Sequence, residues 1–562
     1  MLRIAGNPHF PFTGPRFPVR LESGQGERMG NAMEILKLEH VSKSFGGVKA
    51  VRDLSLSLRE GEIFGFLGTN GAGKTTTLKM ALGFIAPDPG GRVSVFGASP
   101  EDPSTRERIG FMPETAYYYP FLTARELLRF YGGVCGLDAG TVRSRSEKLL
   151  RRVGLEKAAD RQLKTYSKGM LQRAGIAQAL LGDPGLLVLD EPLTGLDPLA
   201  RIHFRDLLLE LKTQGKTILF SSHDLSEAEL ICDRVAILKE GRLLMQDKLS
   251  AIAGDGGLNL ERAFLACLSR PAPAIEDEPQ PETASLPQPG ARPVDAPIAW
   301  GGFRAAVRRL GALASLSLLD LWRRKDMIVV FLLSALILAP LFVFAPFGLS
   351  GAERYVNELA LLLIWIFSFA VGLGVSARLF PPEFEHRTIY PLLAKPVSRG
   401  TVLAGKLLGG IAASWTALAA LYVAFALLAG FRGGGWFPGV WWQALLLHAA
   451  GMVVLCGLSL CGSLLLTASA NLTLCALASA GMLLCGARLP SLIASQPAPA
   501  DNFLWLVNFL GPHMEFFDLR QRLVHGWDPI PWYVCLAAWG YAVCYAGACL
   551  AAAAALFRRK KL

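Results

Sequence analysis

Residues Gly68, Asn70, Gly71, Gly73, Lys74 and Thr75 lie in an eight-residue run that fits G-x-x-x-x-G-K-[ST], after an apolar strand-like stretch and at the head of a helical one. Such a loop suits phosphate. Glycines let backbone N–H groups approach phosphate oxygens, Lys74 can reach the β- and γ-phosphates, and the Thr75 hydroxyl can ligate Mg²⁺, with Thr76 following on the helix. Further along, Leu186-Leu-Val-Leu-Asp-Glu191 is an apolar strand that ends in two carboxylates. With a phosphate loop in the same chain, Asp190 is expected to hold the Mg²⁺ shell and Glu191 to polarise an attacking water. Without that loop, the pair would be an ordinary solvated strand end.

Those residues need a scaffold, and the chain supplies two kinds. From about Met33 to Cys267, short β-rich runs such as Glu62-Ile-Phe-Gly-Phe-Leu67 alternate with helical segments, which predicts a soluble α/β domain over 33–268. Residues 271–297 hold eight prolines and five acidic residues, which predicts a solvated linker within 269–300. Residues 1–32 have no apolar core and are not a secretory signal; with Met29 and Met33 close by, they are expected to be a disordered extension or a mis-assigned start.

The remainder, 301–562, is expected to be an all-α domain of six membrane helices. The chain of 562 residues is 52% hydrophobic and 18% charged, below the roughly 25% charged residues of soluble proteins. Apolar stretches long enough to cross hydrocarbon lie near 327–347, 359–377, 407–430, 443–466, 472–493 and 531–557, and the polar Thr467-Ala-Ser-Ala-Asn471 is where the fourth should turn into the fifth. Of the net charge of +11, only +1 belongs to residues 1–300, so the basic excess flanks membrane helices and nucleic acid is not an expected partner. Segments 304–326, 378–406 and 558–561 carry 15 of the 20 basic residues of the apolar half, which puts the α/β domain and both termini in the cytoplasm and segment 494–530 outside. Within it, Phe503-Leu-Trp-Leu-Val507 is apolar enough to dip back into the bilayer.

The first half resembles the ATP-binding cassette family across 33–245. Tyr166-Ser-Lys-Gly-Met-Leu-Gln-Arg173 looks like the family's signature, retaining Ser167 and Gly169, while Lys168 and Met170 depart from the usual Gly and Gln. Gly195-Leu-Asp197 resembles the D-loop, His223 the switch histidine that contacts the γ-phosphate, and Phe45 the aromatic that stacks on adenine. Glu114 stands where the family usually has Gln; it could still ligand Mg²⁺ or position water, but it adds negative charge beside the phosphates. The resemblance implies ATP and Mg²⁺ as cofactors. It also implies a second copy of the chain, or a related half-transporter, as partner, since one subunit's signature completes another's phosphate site.

The second half resembles ABC type-two permeases through the charged segment 383–406 between the second and third spans, which implies an exporter fold whose short cytoplasmic helix rests on the cassette. Glu385 and Arg387 are the expected contacts. Residues 304–325 read equally as an amphipathic interfacial helix, with Phe303, Val307, Leu310 and Leu313 on its apolar side, or as a positive flank. The ten cysteines include no C-x-x-C, and seven of them lie in or beside spans, where small apolar packing is the simpler role. His448 and Gln443 are the conspicuous polar residues within a span, and His448 is expected to bond a neighbouring helix. The leading expectation is an ATPase-driven, multi-pass exporter in the cytoplasmic membrane with an apolar or amphipathic cargo. The alternative is a mechanical transmitter acting on a periplasmic partner, as in copper-enzyme maturation, without cargo flux.

Overall fold

The computed structural model describes residues 33–115, 118–253, 260–269, 302–323, 352–431, 439–495 and 500–560, with 328–329, 332–333 and 335–336. The expected first span at 327–347, the linker 269–300 and the stretch 1–32 fall wholly or mostly outside these residues.

Two sheets form the α/β half. Strands β1 (Glu34–Phe45), β2 (Val48–Arg59) and β4 (Arg92–Val95) make an antiparallel sheet in the order β2-β1-β4. A six-stranded sheet has the order β5-β6-β7-β3-β8-β9, from β3 (Ile63–Gly68), β5 (Ile109–Met112), β6 (Leu186–Asp190), β7 (Thr217–Ser222), β8 (Arg234–Lys239) and β9 (Arg242–Lys248). It is parallel except for the β8–β9 pair. Every residue of β3, β5, β6 and β7 is buried, as expected of parallel strands covered on both faces. Helices α1 (Lys74–Ala81), α2 (Ala124–Val134), α3 (Ala139–Arg152), α4 (Lys168–Leu180) and α5 (Pro198–Thr213) connect them. Helix α2 opens on a capping box, in which Thr123 and Glu126 satisfy each other's backbone N–H groups.

In the helical half, α6 (Phe303–Arg323) precedes α7 (Ala352–Ser376), two short helices α8 (Pro381–Glu385) and α9 (Ile389–Leu393), then α10 (Arg399–Phe431), α11 (Gly439–Ser463), α12 (Ala468–Cys485), α13 (Ala500–Leu510) and α14 (Trp532–Arg559). Among the described residues, five helices are long and apolar enough to cross a membrane, and they coincide with the second to sixth expected spans. The turn between the fourth and fifth falls where polar residues predict it: α11 ends at Ser463 and Thr467 caps α12 by accepting from the Ala470 N–H. Helix α11 lies at the centre. Its His448 bonds Ser368 Oγ at 2.8 Å and Tyr422 OH at 3.3 Å and stacks on Trp365, and Gln443 exchanges hydrogen bonds with the Ile530 backbone. Both of these side chains thus bind neighbouring segments.

Helix α6 packs between the two halves. Its Ala312 would collide with a Cβ at Gly133 of α2 (2.6 Å), and its Leu313 with one at Gly405 of α10 (2.5 Å), so two glycines permit the close approach. The amphipathic helix exists, but its buried side differs from expectation: Phe303 and Val307 are exposed, while Ala305, Leu313, Leu316 and Leu321 are buried. The cause is that α6 has two partners, so its apolar stripe is set by the groove between α2 and α10.

Candidate nucleotide site and transmission joint

Strand β3 sits in the middle of the parallel sheet and delivers its C-terminal end to the glycine loop. Gly71 (φ 82°) and Gly73 (φ 100°) take up the left-handed region there. A Cβ at Gly73 would lie 2.6 Å from the Ala50 carbonyl, so the loop needs glycine for space as well as for conformation. Helix α1 begins at Lys74 and points its unbonded N–H groups into the loop. Lys74 is buried, donates to the Gly68 carbonyl at 2.6 Å, and lies 3.4 Å from Glu191 Oε1.

Strand β6, two places away in the sheet, brings the carboxylates. Asp190 accepts from Ser221 Oγ at 2.5 Å, and Ser221 Oγ accepts from the Glu191 N–H at 3.0 Å, so β7 fixes both acids. Burial raises the Asp190 carboxyl above the ordinary carboxylate range; bonds from Ser221 and Thr75 oppose this, and the charges of Glu114 and Glu191 add to it. A buried, electron-rich carboxylate beside a threonine hydroxyl is a hard-oxygen set of the kind Mg²⁺ prefers, and the open glycine loop at a helix start suits phosphates. The residues present therefore fit both groups.

Glu191 is held at φ 48°, an uncommon conformation for a side-chain-bearing residue, of the kind that costs on the order of 1–3 kcal/mol. Its Oε2 meets His223 Nδ1 at 2.8 Å and accepts from Thr194 Oγ1 at 3.2 Å. Lys74, Glu191 and His223, drawn from three separate motifs, thus converge. Thr76 is half-buried on α1 and Asn70 is exposed at the loop tip. Glu114 is exposed just after β5 and lines a small cavity with Thr75 and Asp190. Phe45 is exposed at the β1–β2 turn.

The signature residues lie elsewhere. Ser167 caps α4 by accepting from the Met170 N–H, Gly169 packs near Leu196, and Asp197 caps α5 through the Ala200 N–H. Among the described residues no hydrogen bond or ion pair joins Ser167 or Gly169 to the glycine loop of the same chain. A link that the motifs do not reveal runs through Gln172, whose Nε2 donates to the Thr194 carbonyl at 2.7 Å, with Thr194 in turn on Glu191.

The joint to the helical half is built by α8 and α9, inside the segment where it was expected, but by different residues. Glu385 and Arg387 are exposed. The contacts are Glu383, whose Oε1 accepts from Tyr119 OH at 2.9 Å and from Lys406 Nζ at 2.5 Å, and Tyr390, whose hydroxyl accepts from Lys79 Nζ at 2.9 Å. On α8, Glu383 is buried between Tyr119 of the cassette and Lys406 of α10, whereas Glu385, two positions on, faces solvent. Arg387, at φ 54°, instead lines the small cavity that holds Thr75, Glu114 and Asp190. Arg106 donates to the Leu393 carbonyl at 3.0 Å, satisfying the last turn of α9. Lys395 donates to the Gln178 carbonyl at 3.1 Å, and burial lowers its pKa. On α6, Arg323 grips Glu126 with two bonds of 2.6 and 2.9 Å, and Arg308 donates to the Gly136 carbonyl at 3.0 Å.

Residues 51–194 match the ABC transporter family and residues 245–562 the family described as ABC-2 family transporter protein. Curated relatives match the cassette. The linearmycin resistance ATP-binding protein LnrL of Bacillus subtilis is 37% identical over 42% of this chain and 78% of its own length. The Nod factor export ATP-binding protein I of Ralstonia nicotianae is 40% identical over 41% of this chain and 72% of its own. An uncharacterized ABC transporter ATP-binding protein of Synechocystis is 47% identical, and the chain spans only 59% of its length. A solved ATP-binding subunit of an ABC transporter, 33% identical, aligns over 42% of this chain and 99% of its own with a TM-score of 0.39. The second of the two family matches takes in more than half of the sequence, and the chain belongs to the ABC-2 transporter family, with an ABC cassette fused ahead of its permease domain.

Proposed function

We propose that the chain is one half of an ATP-driven exporter. Two copies, or this chain and a related half-transporter, would pair so that Ser167 and Gly169 of each complete the phosphate site of the other. Lys74, the loop glycines and Asn70 would hold the phosphates, Phe45 would face adenine, and Thr75, Asp190 and Glu114 would surround Mg²⁺. Bound Mg²⁺ neutralises charge on the phosphates and orients them for displacement. Glu191, oriented by His223 and Thr194, is the general base for water, and its left-handed backbone aims the carboxylate away from the strand.

The observation that carries coupling is the Lys79–Tyr390 bond. Lys79 stands on the phosphate-loop helix one turn beyond Thr75, and Tyr390 belongs to the permease side. A change in how α1 is held would move Tyr390 without an intermediary. A ligand shifts such an equilibrium only by binding one state better than the other, so closure must create contacts that the open form lacks. Within the membrane half, the His448 and Gln443 side chains of α11 bind neighbouring segments, which favours an apolar or amphipathic cargo over an ion. The cassette and both termini would face the cytoplasm.

The test is the full chain reconstituted in sealed vesicles, with ATPase rate and flux of candidate lipids, drugs and glycans measured together. ATP-dependent flux of one class, abolished with hydrolysis in Glu191→Gln, is expected. ATPase activity with no flux of any class would favour mechanical transmission to an external partner instead.

A further inference from the structure

A cavity of about 440 Å³ lies where the cassette, α6 and the cassette-side end of α7 meet, and no residue of the glycine loop lines it. Cavities of small-molecule sites run from roughly 300 to 1,000 Å³, with apolar walls and a few placed polar groups. Here the apolar walls are Tyr119 and Phe121 of the cassette, Leu316 and Leu321 of α6, and Val375 beyond Gly374 on α7. Glu383 forms part of the lining and is only 4% exposed. Its Oε1 takes both Tyr119 OH and Lys406 Nζ, whereas its Oε2 is buried with no hydrogen-bond partner. A buried carboxylate oxygen left without a donor is costly and uncommon in native proteins.

The surroundings define what donor would suit it. The charge of Glu383 is already balanced by Lys406 at 2.5 Å, and Lys164 and Arg378 stand on the same wall with Asp320. An added ammonium would meet this excess of cations, and a carboxylate would meet the Glu383 oxygen itself. A neutral hydroxyl donates one bond and adds no charge. The lining includes the end of α7 and Lys406 of α10, so the apolar walls lie at the ends of membrane-length helices.

We propose that this cavity is a binding site for a neutral, long-chain alcohol-type molecule whose hydroxyl donates to Glu383 Oε2. Its walls belong to the cassette, including Tyr166 and Leu171 of the signature segment, to α6 and to α7, so an occupant wedged among them acts on the transmission joint. The site does not depend on the exporter reading, because binding is measured without transport.

The experiment uses the full chain in lipid nanodiscs with a diazirine-bearing hexadecanol as photoreactive probe and the matching hexadecanoic acid as control. Labelled residues are mapped by mass spectrometry. The alcohol should label residues 118–121, 316–321 and 374–383, and unlabelled hexadecanol should compete about tenfold better than the acid, the scale of one net hydrogen bond to a charged acceptor. Gly374→Leu should abolish that labelling. A Cβ at Gly374 meets nothing within 4 Å, so the added side chain enters the cavity without disturbing α7. Alcohol label spread evenly over lipid-facing helices, or equal competition by acid and alcohol in the unaltered protein, overturns the proposal. So does labelling of the three segments that persists in a folded Gly374→Leu protein.

Discussion

Replacing Glu383 with Leu should loosen the joint more than any substitution at the exposed Glu385. The Glu383 and Lys406 side chains are each 5% exposed and sit 2.5 Å apart, so the pair is shielded from water and salt. Removing one member strands the other charge in the interior, which typically costs about 3–5 kcal/mol. Lys406→Met should cost a similar amount by leaving the carboxylate with Tyr119 alone. In the Glu383→Leu, Lys406→Met double variant no charge is stranded. The remaining defect is the Tyr119 hydroxyl and the Leu379 carbonyl that lose their partners, about 1–3 kcal/mol for a buried unsatisfied group. Hydrogen exchange of backbone amides in residues 381–393 reads the local opening directly, and at 1.4 kcal/mol per factor of ten each single variant should exchange about two to four decades faster. The two orphaned groups of the double variant cost about 2–6 kcal/mol together, so it should exchange far more slowly than the two single effects added. If the two effects simply added, the charge pair would not be what fastens the joint, and shape packing by Phe380 and Phe384 would have to be.

Other outcomes follow from the same geometry. Glu191→Gln should keep Mg-ATP binding and lose nearly all turnover, whereas Lys74→Ala should weaken nucleotide binding itself; a titration with labelled ATP beside a steady-state phosphate assay distinguishes them. Burial holds Lys395 below its ordinary value of 10.5, so the folded state disfavours its charge: its stabilising contribution is full above pH 10.5 and is lost as pH falls through the lowered folded pKa. Thermal unfolding should accordingly gain midpoint on going from neutral pH towards pH 10.5, and Lys395→Met should flatten that rise. Limited proteolysis should cut first between Pro271 and Pro297, and protection of that interval with cleavage elsewhere would count against a linker there.

The nucleotide half was legible because its chemistry is written in short, contiguous motifs whose context is also local: a strand before the glycine loop, a helix after it, a buried strand before Asp190. The convergence of Glu191 with His223 was not legible, because it rests on β6 and β7 ending side by side. Ser221 and Thr194 were not singled out, since a serine within a strand and a threonine in a loop have no distinguishing spacing; their roles come from which strand lies next to which. The joint was legible as a segment and not as residues. Charge drew attention to Glu385 and Arg387, but on a five-residue helix the difference between facing the cassette and facing solvent is two positions, and only the packing partner decides it. Tyr119, the residue that meets Glu383, is 264 positions away in sequence. Helix α6 shows the same limit: its sequence read equally as an amphipathic helix or a positive flank, and the choice of face belonged to Gly133 and Gly405.

Several bonds across the joint end on main-chain oxygen: Arg106 on Leu393, Lys395 on Gln178, Arg308 on Gly136, and Arg323 on Phe121 as well as on Glu126. A carbonyl is present whatever side chain its residue carries, so each of these contacts is specified by one partner's basic residue and by the other's helix geometry. The two halves can therefore drift in sequence independently over much of their boundary, keeping register so long as the helices end where they do. Glu383 with Tyr119, Tyr390 with Lys79, Arg323 with Glu126 and Arg309 with Glu107 are different, because both members must be inherited together. In a chimera that grafts a relative's cassette onto this permease, those four pairs, rather than the overall similarity of the donor, would decide whether the graft takes.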